Sequence, residues 1–275
     1  MKATFKTILS STIRRSGLIR LADKLRFVVL YLKSSSKRKA FKRDNPSVVL
    51  PPAYLIYESF DMNYQTYYHA SRETARWLLE KAGKHVEFHN INILDWGCGP
   101  ARIVRHLPAM VSSCQIFGTD YNARTIAWCQ KSITNISFNL NGVNPPLPYS
   151  DSFFGFIYGI SIFTHLPEEL HYAWFNELVR ISRHHGIIFL TLHGDAFLPK
   201  LTHEEQQAYN HGNLVVKGNT KIGHRTYAAF QPDAFVHQLA AGHTVVEHTK
   251  GGIINGKPQQ DIWLIRVEKP RDAKQ

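Results

Sequence analysis

One segment of this sequence sets two carboxylates and two glycines at spacings suited to holding a ligand. Asp95-Trp96-Gly97-Cys98-Gly99-Pro100-Ala101-Arg102 follows a short apolar run. Asp120 ends a second such run about 20 residues past the glycines, where an acid in an open parallel sheet accepts hydrogen bonds from ribose hydroxyls. Gly97 and Gly99 allow a tight turn and let the backbone approach a ligand with no Cβ in the way. A dinucleotide fingerprint would place a third Gly or Ala where this chain has Arg102. The Asp95 carboxylate would also repel a pyrophosphate in a confined crevice. The pattern suits a nucleoside with a cationic end and no phosphate.

These residues need a framework that brings strand tips together, and the sequence supplies one. Apolar runs at 91–95, 115–119, 136–140, 154–159 and 186–192 alternate with helical patterns at 123–131 and 168–182, and a further helix is expected through Ile103, Val104 and Leu107 to Pro108. The run at 186–192 is almost unbroken apolar sequence, as a strand covered on both faces requires. Helical spacing from Tyr67 to Lys84, ended by Gly83, precedes the first strand. A helix at 232–241 and strands at 243–248 and 261–267 close the chain. The expected fold is α/β: a doubly wound, Rossmann-like, mostly parallel seven-stranded sheet with its last strand antiparallel. Residues 195–228, rich in polar residues, Gly and His, are expected to form an insertion or lid.

The segment Ile93-Leu94-Asp95-Trp96-Gly97-Cys98-Gly99 resembles the first motif of the class I S-adenosylmethionine-dependent methyltransferases. The resemblance extends over about 91–192. It takes in Gly118-Thr119-Asp120, Asn141-Gly142 with Pro146-Leu147-Pro148, and the fourth and fifth strands. It departs at Phe154-Gly155, where relatives usually carry Asp, and at His184-His185-Gly186, where they often carry Pro-Gly-Gly. Ile160-Ser161-Ile162-Phe163-Thr164-His165-Leu166 and Pro51-Pro52 are similar to a bacterial small-molecule and glycan branch. The resemblance implies S-adenosylmethionine as cofactor. Asp95, Gly97, Cys98 and Gly99 would be at its amino-acid end, Asp120 at the ribose, Asn141 and Gly142 at the adenine with Tyr121 along its face, and Ser161 nearby. An acceptor's proton would go to His165, or His165 would merely pack against the helix begun by Pro167-Glu168-Glu169.

Other residues are read more plainly. His85 and His89 have i, i+4 spacing, but Gly83 interrupts their helix and no third ligand is evident, so no metal site is expected. Cys98, Cys114 and Cys129 are too few and scattered for a disulfide framework, which suits a reducing, cytoplasmic setting. Tyr54, Tyr57, Tyr64, Tyr67 and Tyr68 either shape a binding pocket or pack together.

The formal charge of +12 is uneven: residues 1–50 hold 13 Lys or Arg against Asp23 and Asp44, which leaves the other 225 residues at +1. The expected organisation is a basic amphipathic helical arm over 1–50, broken at Ser34–Lys39, and a methyltransferase domain over 51–270. Such an arm suits peripheral contact of residues 1–45 with an anionic membrane. Its longest apolar run, Phe27 to Leu32, is far below the roughly 20 residues that span a bilayer. The implied reaction is methyl transfer to a small-molecule or glycan acceptor. The alternatives are an RNA methyltransferase with the arm as a clamp, or a non-catalytic cofactor-binding scaffold. Against RNA stand the near-neutral remainder and the lack of an Asn-Pro-Pro-aromatic motif.

Overall fold

The computed structural model describes residues 19–217 and 227–269. They form two compact units that divide at Ser71/Arg72.

The first unit contains helices α1 (Ile19–Lys33), α2 (Ser35–Asp44) and α3 (Ala53–Phe60), then one π-helical turn, Thr66–Ala70. Only Ser34 interrupts the helical arm, and helix resumes at Ser35 instead of staying broken through Lys39. The Ser34 hydroxyl donates to Tyr31 O at 3.1 Å, a local bond that competes with continuing the helix. Phe41, Ile56, Tyr57, Met62, Tyr64 and Tyr67 are this unit's buried core, so most of the tyrosine cluster is packed together with the arm. Tyr57 donates to Asp23 Oδ1 at 2.6 Å, tying α3 to α1. On the other side of α1, Leu25, Val28, Val29 and Leu32 are exposed along one i, i+3, i+4, i+7 stripe. The part of the arm before Ile19 lies outside the described residues.

The second unit opens with α4 (Ser71–Ala82). Its strands are β1 (Asn92–Trp96), β2 (Gln115–Asp120), β3 (Ser137–Leu140), β4 (Phe154–Ile160) and β5 (Ser182–Leu192), with helices α5 (Ala123–Ser132) after β2 and α6 (Glu168–Ile181) after β4. Next come α7 (His203–Asn210), the short strands β6 (Val215–Lys217) and β7 (Ala228–Phe230), and α8 (Asp233–Leu239). The chain closes with β8 (Thr244–Thr249), a small hairpin of β9 (Ile253–Ile254) and β10 (Lys257–Pro258), and β11 (Asp261–Arg266). The main sheet has seven strands in the order β3-β2-β1-β4-β5-β11-β8. It is parallel except for β11, which runs antiparallel to both β5 and β8. This is the expected Rossmann-like architecture.

Alternate residues of each central strand enter opposite cores, which is why these strands read as continuous apolar sequence. Leu94 and Trp96, Ile188 and Leu190, and Trp263 and Ile265 pack beneath α6 and α8. Ile93, Ile187, Phe189 and Leu264 pack on the other face with α4 and α5. The segment after the glycine turn departs from expectation. It forms a short 3-10 helix, Val104–Ala109, and not an α-helix, with Pro108 inside it. A proline interior to an α-helix removes a hydrogen bond and clashes with the preceding turn. The described part of 195–228 contains a 3-10 turn (Asp195–Lys200), α7 and β6, and its Phe197, Leu201, Tyr209 and Val215 form a small core with Phe230 of β7. Residues 218–226 lie outside the described residues. No helix among those described is long and apolar enough to cross a membrane.

Candidate active site

The strand order reverses at β1, between β2 and β4, and open α/β sheets bind ligands there, beyond the carboxyl ends of the strands. A cleft of about 530 Å3 lies at this point. Gly97, Asp120, Tyr121, Asn141, Gly142 and His165 line it. Trp96, Val143, Ile162, Leu166 and Trp174 supply apolar walls that the sequence reading did not single out. Trp174 shows how a helix residue shapes the loop opposite: its Nε1–H donates to Val143 O at 2.9 Å. Its place on the inward stripe of α6 was the available signal.

The glycine turn is held to β2 by backbone. Gly97 N–H and Cys98 N–H both donate to Thr119 O at 2.8 Å. Gly97 has φ +79, and a Cβ there would lie 2.2 Å from Ile162 Cδ1, so only glycine fits. Gly99, at φ +50, has open space where a Cβ would be, and its N–H donates to Asp120 Oδ2 at 3.0 Å. Asn122 N–H donates to Asp120 Oδ1 at 2.8 Å. Burial raises the Asp120 pKa, and these two N–H groups oppose the shift. Each carboxylate oxygen retains a lone pair for a ligand. Asn141 donates to Gly142 O, while its buried Oδ1 has no hydrogen-bond partner among the described residues.

Asp95, Cys98, Gly99 and Ser161 do not line this cleft. Strand alternation turns Asp95 to the face opposite Trp96. There its carboxyl is buried beside the Tyr158 hydroxyl and the Arg102 guanidinium and accepts the Val104 N–H. Burial pushes its pKa up to about 7. Arg102 was read from sequence only as a missing glycine, and it is the countercharge to Asp95. Cys98 is buried in the α4/α5 core, with its thiol pushed well up by burial and no sign of nucleophile chemistry. Ala101 occupies a left-handed conformation, φ +56, within the same turn.

Tyr227 to Gln231 anchors three histidines, of which His165 lines the cleft. His165 Nδ1 and His193 Nδ1 sit 2.8 Å and 3.0 Å from Tyr227 O and Ala229 O, and the Gln231 side chain donates to His171 Nε2 at 3.0 Å. A carbonyl accepts only, so His165 carries its proton on Nδ1 and presents Nε2 as an acceptor. His85 and His89 do not converge: His85 pairs with Glu247 at 3.1 Å, and His89 bonds Asn90.

The comparisons with known proteins agree with this geometry. A family model described as a methyltransferase domain matches residues 93–186. Residues 93–186 thus match a methyltransferase-domain family, and the sheet built around them has the fold of class I S-adenosylmethionine-dependent methyltransferases. A Methanosarcina mazei S-adenosylmethionine-dependent methyltransferase superimposes with TM-score 0.54 at 17% identity, over 70% of this chain and 98% of the other. Magnesium protoporphyrin IX methyltransferase from Synechocystis, solved with S-adenosylhomocysteine bound, gives TM-score 0.54 at 11% identity, over 88% and 99%. A Pyrococcus horikoshii protein gives 0.54 at 17% identity, over 78% and 98%. At such identities the structural matches speak for the fold. The residues of this cleft fit S-adenosylmethionine: an unpartnered amide oxygen, an acid with spare lone pairs and apolar walls suit an adenosine moiety.

Proposed function

We propose that this methyltransferase holds the adenosine of S-adenosylmethionine in the cleft at the β1 reversal and transfers the methyl group to a small-molecule or glycan acceptor. In this reading Asp120 accepts from the ribose hydroxyls, Asn141 Oδ1 accepts from the adenine amino group, and Tyr121 and Gly142 border the ring. The unsatisfied Asn141 Oδ1 carries the assignment, because a buried acceptor without a donor is costly unless a ligand supplies one. The cofactor supplies an electrophilic methyl on a sulfonium. The chain's part is to orient it, exclude water and align the acceptor. Asp95, Cys98 and Gly99 support the turn from below, and His165, which lines the cleft, offers Nε2 as a candidate proton acceptor.

We also assign 72–269 as the catalytic domain and the first unit as a docking element. The exposed stripe of α1 in so cationic an arm suits an anionic membrane surface. The near-neutral charge of residues 51–275 favours a small acceptor over RNA.

Calorimetry with S-adenosylhomocysteine tests the cofactor site. Asp120→Ala removes charge-assisted bonds worth about 1.5–3 kcal/mol each, a loss of at least about tenfold in affinity. Asn141→Ala is expected to lose less. Unchanged affinity in both variants would refute the site.

A further inference from the structure

Ile160 and Ile162 are two residues apart yet line different clefts. Ile162 belongs to the cofactor cleft, and Ile160 to a second, broader one of about 1260 Å3. Ser161 between them has φ +62, a conformation that a residue with a side chain holds only when its surroundings enforce it. A closed ring of neutral groups does so. Ser161 N–H donates to Thr191 Oγ1 at 2.9 Å, Thr191 donates to Gln260 Oε1 at 2.6 Å, and Gln260 Nε2 donates to Ser161 Oγ at 2.7 Å. Thr191 and Gln260 also line the second cleft, so the ring is the partition between the two.

The walls of the second cleft are Trp77, Phe197, Ile262 and Ile254, the last from the tip of the β9–β10 hairpin. No carboxylate is among its described lining residues. Its lining cation, Lys250, is occupied by Asp195 at 2.6 Å and Asp233 at 3.1 Å. A charged ligand would lose hydration there and gain no countercharge. A flat apolar ring would gain the indole and phenyl surfaces. A hydroxyl would meet the second Nε2 hydrogen of Gln260 and the remaining lone pair of Thr191.

We infer that the second cleft receives the methyl acceptor, and that this acceptor is an uncharged ring compound bearing a hydroxyl, the Ser161–Thr191–Gln260 ring setting its distance from the cofactor cleft. The inference rests on the cofactor assignment above. Among the described lining residues no cation is free for a phosphate-rich acceptor and no carboxylate is present for an amine.

The test is saturation-transfer NMR on the full chain with excess S-adenosylhomocysteine. Two neutral probes, methyl β-glucopyranoside and phenol, separate a sugar from a phenolic source. Phenyl phosphate and benzylamine are the charged comparators. At least one neutral probe is expected to receive saturation several-fold more strongly than either charged one. Trp77→Ala should weaken that signal while leaving S-adenosylhomocysteine affinity unchanged. Ile254→Lys, at an exposed hairpin position that should not disturb folding, should give the cleft binding of phenyl phosphate. Equal or stronger binding of a charged probe, silence from both neutral ones, or an Ile254→Lys variant indistinguishable from the parent overturns the inference. Failure of S-adenosylhomocysteine to bind, with neutral-probe binding intact, counts against the cofactor assignment and spares this one.

Discussion

Asp95→Asn should stabilise the ligand-free protein at neutral and alkaline pH. The Asp95 carboxyl is buried, and loss of hydration lifts its pKa from 3.8 to about 7 despite Tyr158, Arg102 and the Val104 N–H. The folded state therefore binds the proton more tightly than the unfolded state. Stability is fully present below about pH 4 and is lost as pH rises through about 7. Three units at about 1.4 kcal/mol each set an upper bound of about 4 kcal/mol at pH 8. Asparagine mimics the protonated acid: its oxygen still accepts the Val104 N–H, and it carries no charge to desolvate. Urea unfolding of parent and variant from about pH 4 to 8 reads the effect directly. The two should coincide at the acid end and diverge upward, with the variant more stable. Asp120 is raised for the same reason, so the variant should keep a smaller slope of the same sign. Parallel pH profiles, or a variant less stable at pH 8, would show that the Arg102 countercharge outweighs the lost hydration and that the Asp95 pKa is not raised in the fold.

Two further outcomes follow from the glycine turn. Gly97→Ala should cost about 2–5 kcal/mol, about 1–2 from the left-handed backbone and about 1–3 from overpacking against Ile162. Adding Ile162→Ala should recover the packing part alone, and strict additivity in the double-mutant cycle would contradict the contact. Ala101→Gly should be nearly neutral, because relief of the φ +56 strain offsets the lost methyl and the added unfolded-state freedom. Ala82→Gly, equally buried in α4, has no strain to relieve and should cost about 1–2 kcal/mol more on urea unfolding.

The parallel strands were legible because burial on both faces leaves the sequence little freedom, and β1, β2, β4 and β5 lie within a few residues of their expected positions. Asp120 was legible for a related reason: a strand-end acid in such a sheet has few places to go. The placement of Asp95 was not read, although the signal was present. Side chains alternate along a strand, so Asp95 and Trp96 cannot both face one cleft. The 3-10 segment after the turn was masked by apolar spacing that outvoted Pro108. The β9–β10 hairpin was also announced, by Asn255-Gly256 between Ile254 and Lys257, where both turn residues have positive φ. It was passed over because its strands are only two residues long.

The two clefts differ in how the chain encodes them, and this explains why cofactor chemistry could be read and the acceptor could not. The cofactor cleft is built mainly from the ends of successive strands, so Gly97, Asp120 and Asn141 appear in order at the expected intervals. The second cleft draws on Trp77, Thr191, Ile254 and Gln260, which have no common motif and meet only after α4, β5 and the final hairpin have packed. Its chemistry is defined by what those residues lack, an unpaired charge, and that property emerges only once Lys250 has found Asp195 and Asp233. Acceptor choice is thus set by tertiary pairing at the rim. Substituting Asp195 and Asp233 together, which frees the Lys250 ammonium, should alter which probes bind as effectively as a substitution inside the cleft.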